Sequence, residues 1–276
     1  MSISVLYFVP LGEKMVIAWI IAGYLLFIIP VAELLTYRKY KRQIAANTFS
    51  KQTFYNSVFI ELWSPVIVIL ILVLLGAITF QDIRLNALVW NPFDLSTWLL
   101  IMAAIISAIP VLLILLSTYN FIGVKRSPAF RDAYIAALKK QEDKTKESNQ
   151  VLFAILPGNK YEKVQWTFLS ITAGITEEIL FRGFLVFFLH FLFPSIPIPL
   201  LCLLQAIPFA LMHLYQGVQG VITTFFMGLI FGLHVILFGS LIPGIIIHIL
   251  LDFSSNLIER EQVKLPMPNA EGSLDL

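Results

Sequence analysis

Residues 166–193 read WTFLSITAGITEEILFRGFLVFFLHFLF, a run apolar enough to cross a bilayer that carries Glu177, Glu178 and Arg182 in its middle. A helix needs roughly 20 such residues to cross about 30 Å of hydrocarbon. An ionisable group placed there costs roughly 2.5–3.5 kcal/mol on insertion scales. Two apolar stretches further on repeat the anomaly, Phe209-Ala-Leu-Met-His213 and His248-Ile-Leu-Leu-Asp252. Charged and imidazole groups concentrated in neighbouring membrane helices are not kept for packing. They read as a site that does chemistry inside the membrane.

The rest of the chain supplies the same setting. It has 276 residues, 58% hydrophobic and 13% charged, with a mean hydropathy of +0.85. A soluble domain carries about 25% charged residues, so a water-soluble globule is excluded. A net charge of +2 gives no reason to expect nucleic acid as a partner. The single cysteine, Cys202, excludes an internal disulfide and reads as a packed thiol. No cleavable signal pattern opens the sequence, so the first apolar helix is expected to insert and remain. Membrane spans are expected at about 15–36, 58–80, 97–124 (kinked at Pro110), 166–193, 198–214, 218–238 and 241–258. The fold class is therefore all-α, a polytopic transmembrane bundle of about seven to eight helices. Its parts are N-terminal membrane helices (1–124), a polar and amphipathic connector (125–165), a four-helix catalytic core (166–258) and a tail (259–276). Within the connector, 129–138 is amphipathic, 139–150 is a charged run, and the short apolar piece 151–156 could dip into the interface.

Charge asymmetry orients this bundle. Arg38, Lys39, Lys41, Arg42 and Lys51 follow the first span, nine Lys and Arg follow the third, and Arg260 and Lys264 follow the last. The alternate loops hold Arg84 and no other basic residue. Basic loops stay cytoplasmic, which puts the N-terminus outside and the C-terminus inside. The polar groups then fall in the inner half of the bilayer, around a cavity open to the cytoplasm. A bacterial plasma membrane suits the compact loops.

Helical spacing sorts the polar groups. Glu178 and Arg182 are four apart and share a face, so they can pair. Glu177 is rotated about 100° from its neighbour and lacks that cation. A carboxylate so placed suits a general base. His248 and Asp252 also share a face, where the acid can orient the imidazole, and His213 brings a second imidazole from another helix. Glu177, His213 and His248 form a set that zinc accepts, although the spacing is not that of H-E-x-x-H metalloproteases.

With these three motifs the chain resembles the CPBP intramembrane proteases, the Abi family that includes the type II CAAX prenyl endopeptidases. Their pattern is E-E-x-x-x-R, then F-x-x-x-H, then H-x-x-x-Asn/Asp, each on its own membrane helix. Ala173-Gly174, Gly183 and Gly239-Ser240-Leu241 agree with the surrounding context, and the likeness runs over about 156–258. The resemblance implies an endopeptidase in which Glu177 and His213 activate water, while His248 and residue 252 stabilise the oxyanion. Glu178, Arg182 and Phe209 support that site. Its substrate would be a lipidated C-terminal tail or a small membrane-associated peptide, met at the lipid bilayer. Where many members have Asn, this chain has Asp252. An ionised Asp cannot donate a hydrogen bond, so either Asp252 is protonated or it orients His248. Whether a Zn2+ ion takes part is left open by the motifs.

Other polar groups have plainer readings. His190 and His234 match no motif and read as interfacial or packing residues. Glu33 and Glu61 lie near cytoplasmic helix ends, where they are expected to snorkel or pair with the adjacent basic loop. Gly228-x-x-x-Gly232 reads as a close helix contact. Two other functions keep the same residues: a non-catalytic membrane scaffold or immunity protein, and a proton-coupled carrier built on a carboxylate–histidine relay.

Overall fold

The computed structural model describes residues 13–145, 150–254 and 257. The expected tail 259–276 and part of the charged run 139–150 lie outside the described residues. Every regular element among them is helical. The first span is one long rod built from α1 (Glu13–Gly23), a π-helical turn (Tyr24–Ile28) and α2 (Ile29–Ala45). Next comes α3 (Lys51–Leu74), opened by Ser50, whose hydroxyl accepts from the Thr53 N–H. The third span is broken, as Pro110 requires, into α4 (Thr97–Ser107) and α5 (Ile109–Arg126).

The connector forms α6 (Pro128–Thr145) and α7 (Gln150–Ile155). The latter packs against α3. Its Val151, Ala154 and Ile155 are buried, with Val151 and Ile155 packed on Phe54 and Tyr55 of α3. The Tyr55 hydroxyl donates to the Ile155 carbonyl at 2.6 Å. Burying these apolar side chains against α3 removes them from water.

The motif-bearing half begins with α8 (Lys160–Glu177), a second π-helical turn (Glu178–Leu185) and α9 (Val186–Leu192), which run on without a break. Then follow α10 (Ile198–Met212), α11 (Gly217–Phe238) and α12 (Ile242–Ser254). By length and composition, 16–45, 51–74, 97–126 and 214–238 can each cross a membrane, and α10 and α12 are shorter apolar helices. Large side chains such as Phe27, Leu74, Leu112, Phe168 and Val218 face outward, as a lipid-facing surface requires.

The 77–95 loop closes the end of the bundle away from the basic connectors. Its Val89 and Asn91 N–H groups donate to the Phe238 and Leu237 carbonyls at 2.8 Å each. These are carbonyls that the end of α11 would otherwise leave unpaired. Gly239 ends that helix in the left-handed region, φ 58°. Gly228 and Gly232 lie against Ala206 and Cys202 of α10, so this pair serves close approach as expected.

Candidate active site

The site is assembled where the π-helical turn leaves α8. The sequence motifs place their polar groups on three helices, and packing of α8, α10 and α12 brings Glu177, His213 and His248 around one small volume. One Glu177 oxygen, Oε2, lies 3.8 Å from His213 Nε2 and 3.8 Å from His248 Nε2. All three side chains are buried, and Glu177 Oε2 makes no hydrogen bond within the protein. They open onto a cavity of about 450 Å3 that also reaches Asp252.

Each imidazole is held by its other nitrogen. His213 caps the end of α10, and its Nδ1 lies 2.8 Å from the Phe209 carbonyl oxygen. A carbonyl only accepts, so Nδ1 carries the proton and a neutral His213 presents a bare Nε2 toward Glu177. His248 Nδ1 lies 3.0 Å from Glu178 Oε1. An ionised carboxylate there leaves Nδ1–H as the donor and fixes the ring as an outer-shell carboxylate does. Asp252 faces the other ring nitrogen from farther away. Its Oδ2 is 3.9 Å from His248 Nε2, too long for a hydrogen bond, so the orienting bond comes from Glu178 instead. The i,i+4 spacing of His248 and Asp252 gave no view of a carboxylate arriving from another helix.

Below this layer sits a closed ion pair. Arg182 Nη1 is 3.3 Å from Glu178 Oε1, and both side chains are completely buried. The guanidinium carbon stands 3.9 Å from the centre of the Phe209 ring and 5.4 Å from that of Phe231. The motif phenylalanine is thus a cation–π surface for the motif arginine, replacing part of its lost hydration. Phe231 also stacks on His248, with ring centres 4.8 Å apart and an interplanar angle of 19°. Phe231 carries no motif signal in one sequence, since an apolar residue in an apolar helix has nothing to mark it. Gly244 is explained here as well: a Cβ on it would stand 3.2 Å from Glu178 Oε2.

The remaining polar groups divide. His234 is buried, with Nε2 3.0 Å from the Ser107 carbonyl, and so acts in packing. Among the described residues Glu33 and Glu61 make no ion pair with the basic loop. They line the same cavity as Glu177. The exposed Arg38, Lys39, Lys41 and Arg42 stand on the other side of α2, which turns Glu33, Thr36 and Tyr40 inward at helical spacing.

The zinc expectation can be set against these distances. Zinc bound tetrahedrally at about 2.0–2.2 Å brings its ligand atoms to roughly 3.4 Å from one another. Both Glu177–imidazole separations are 3.8 Å. Among the described residues no group of three His, Cys, Asp or Glu is arranged to hold a metal ion. The trio as it stands does not fit a zinc shell, and no step below runs through a metal.

Comparison with known proteins bears on the same stretch. Residues 160–254 match the family model of type II CAAX prenyl endopeptidase Rce1-like proteins. That is about a third of the chain and contains all three motifs. No curated protein and no solved structure matches. The part of the chain that builds this site, α8 to α12, is thus related to the Rce1-like type II CAAX prenyl endopeptidases, as the three motifs imply.

Proposed function

We propose that the protein is a membrane-embedded endopeptidase that hydrolyses a peptide bond of a lipidated C-terminal tail or of a small membrane-associated peptide. The observation that carries this reading is the meeting of Glu177 Oε2 with the Nε2 atoms of His213 and His248, 3.8 Å from each. A water between Glu177 and His213 can donate one hydrogen to the carboxylate and the other to the bare imidazole nitrogen. Its lone pairs then point outward at a substrate carbonyl. As the carbon–oxygen bond forms, Glu177 takes the proton, and it later delivers it to the departing amine. His248, held at Nδ1 by Glu178, turns Nε2 into the same space. With Nε2 protonated it donates to the oxyanion, a contact worth about 3–4 kcal/mol in comparable sites. Asp252, on the same wall, supports a positive charge on that ring.

The reaction yields two peptides, and water supplies the new carboxyl oxygen. In nanodiscs, cleavage of a farnesylated peptide in 18O-labelled water should put label into the newly formed C-terminal carboxylate. Glu177→Gln should stop both cleavage and labelling. A folded protein that leaves such peptides intact, or a Glu177→Gln variant that still cuts them, would remove this reading. 1,10-Phenanthroline should leave turnover unchanged, because the Glu177 and histidine separations exceed those of a zinc shell. We further propose the cytoplasm-facing orientation, supported by the basic residues after the first and third spans. A protease-accessibility assay on sealed vesicles, with a tag after Leu276, tests it.

A further inference from the structure

The cavity does not end at the catalytic group. It continues to Glu33 on α2 and Glu61 on α3, so its lining carries Glu33, Glu61, Glu177 and Asp252 but neither lysine nor arginine. Glu33 is 8% exposed. Among the described residues neither the Glu33 nor the Glu61 carboxylate has an ion-pair or hydrogen-bond partner. The nearby cations are committed elsewhere. Those of α2 are exposed on its other face, and Lys51 is bonded to Glu162 at 2.9 Å. A carboxylate removed from water needs a counter-charge to offset its desolvation. Here the space in front of both is open to a ligand. Thr36, Tyr40 and Ser57 line the cavity beside them, with the Tyr40 and Ser57 hydroxyls 3.4 Å apart.

We propose that Glu33 and Glu61 form a specificity subsite for a basic side chain, lysine or arginine, of a peptide bound across Glu177 and His213. Resting on the endopeptidase reading, this names the class of peptide that the enzyme prefers. The two carboxylates come from the helices without motifs, so the subsite is a contribution of the N-terminal half to selection. An ammonium or guanidinium there meets two acceptors that its aqueous competitor, an uncharged side chain of equal length, leaves desolvated and unpaired.

The test uses full-length protein in nanodiscs and fluorescein-labelled farnesylated peptides in which one lysine is moved along an otherwise norleucine-substituted chain. Dissociation constants are read by anisotropy and kcat/KM by product formation. At one or two adjacent positions lysine should improve both by about tenfold over norleucine. The Glu33→Gln/Glu61→Gln pair should bring that ratio below about twofold, and Glu61→Lys should turn the preference toward a glutamate at the same position. Glu61→Gln alone should halve the effect or more, which keeps the test open if the double variant does not fold. A lysine-to-norleucine ratio within twofold at every position of the wild type overturns the subsite, even if all peptides are cut. Preferential lysine binding that vanishes in the variants, with no peptide cut, upholds the subsite and overturns the proteolysis.

Discussion

The two sides of the π-helical turn make an instructive comparison. Glu177 and Glu178 are chain neighbours, the same residue type and both buried, yet they stand in different surroundings. On one side Glu178 meets Arg182 at 3.3 Å and His248 at 3.0 Å, with Phe209 and Phe231 over the guanidinium. On the other, Glu177 Oε2 faces two imidazoles at 3.8 Å across open space. The closed side sets Glu178 Oε1 against both Arg182 and His248 and fixes the geometry, although Glu178 Oε2 and the guanidinium nitrogens make no hydrogen bond. The open side keeps an acceptor in reserve for whatever enters the cavity. Burial alone therefore does not tell a structural carboxylate from a reactive one; what distinguishes them is which partner is already in place.

If that division holds, removing charge on the two sides gives different failures. Glu177→Gln should lower kcat/KM by about 10^3-fold, roughly 4 kcal/mol in barrier, with little change in the melting temperature measured in detergent. Arg182→Leu should act in the opposite sense. It leaves Glu178 as a buried anion without its cation and should cost about 3 kcal/mol of stability, with activity lost as the fold is lost. The Glu178→Leu/Arg182→Leu double variant should be more stable than Arg182→Leu alone. A double variant that is less stable than either single one would contradict the closed-pair description.

Smaller changes sharpen the boundary between the sides. Phe209→Leu removes the ring under Arg182 and beside His213, and should cost about 2 kcal/mol in thermal stability. Asp252→Asn should keep kcat/KM within about tenfold, because the orienting bond to His248 comes from Glu178 rather than from residue 252. A loss of 10^3-fold or more there would put Asp252 in the place assigned to Glu178.

Four of the seven expected spans, matching 16–45, 51–74, 97–126 and 214–238, were legible in the chain because lipid imposes a length and a composition on a crossing helix. The break at Pro110 and the close approach at Gly228 were legible for steric reasons. The Glu178–Arg182 pair followed from helical spacing. The Glu178–His248 bond did not, since it joins residues on different helices and only packing sets it. Neither π-helical turn left a compositional mark. Glu33 was visible as an acid in a lipid-spanning rod, but its direction depends on which face α2 turns to the bundle. Basic neighbours at 38, 39, 41 and 42 pointed to a partner that the structure puts on the far side of the helix.

The smallest effect concerns the contact that ties the connector to α3. Lys51 Nζ bridges Glu162 Oε2 at 2.9 Å and the Leu156 carbonyl at 2.8 Å, while the Gly158 N–H donates to the same Glu162 oxygen at 2.7 Å. Partial burial alone would raise the Glu162 carboxyl. The Gly158 N–H, Lys51 and Asn159 outweigh it and hold the group below the ordinary carboxylate range. Its stabilising contribution is thus fully present above the unfolded value, about 4.3, and disappears as pH falls through the lower folded value. Glu162→Gln should cost about 1 kcal/mol at neutral pH, read as a drop in melting temperature. The gap between wild type and variant should close as the pH is taken below about 4. A gap that stays constant down to that pH would mean that the carboxylate charge does not hold α7 and α8 to α3, and that the packing of Val151 and Ile155 on Phe54 and Tyr55, with neutral bonds such as Tyr55 to the Ile155 carbonyl, does so instead.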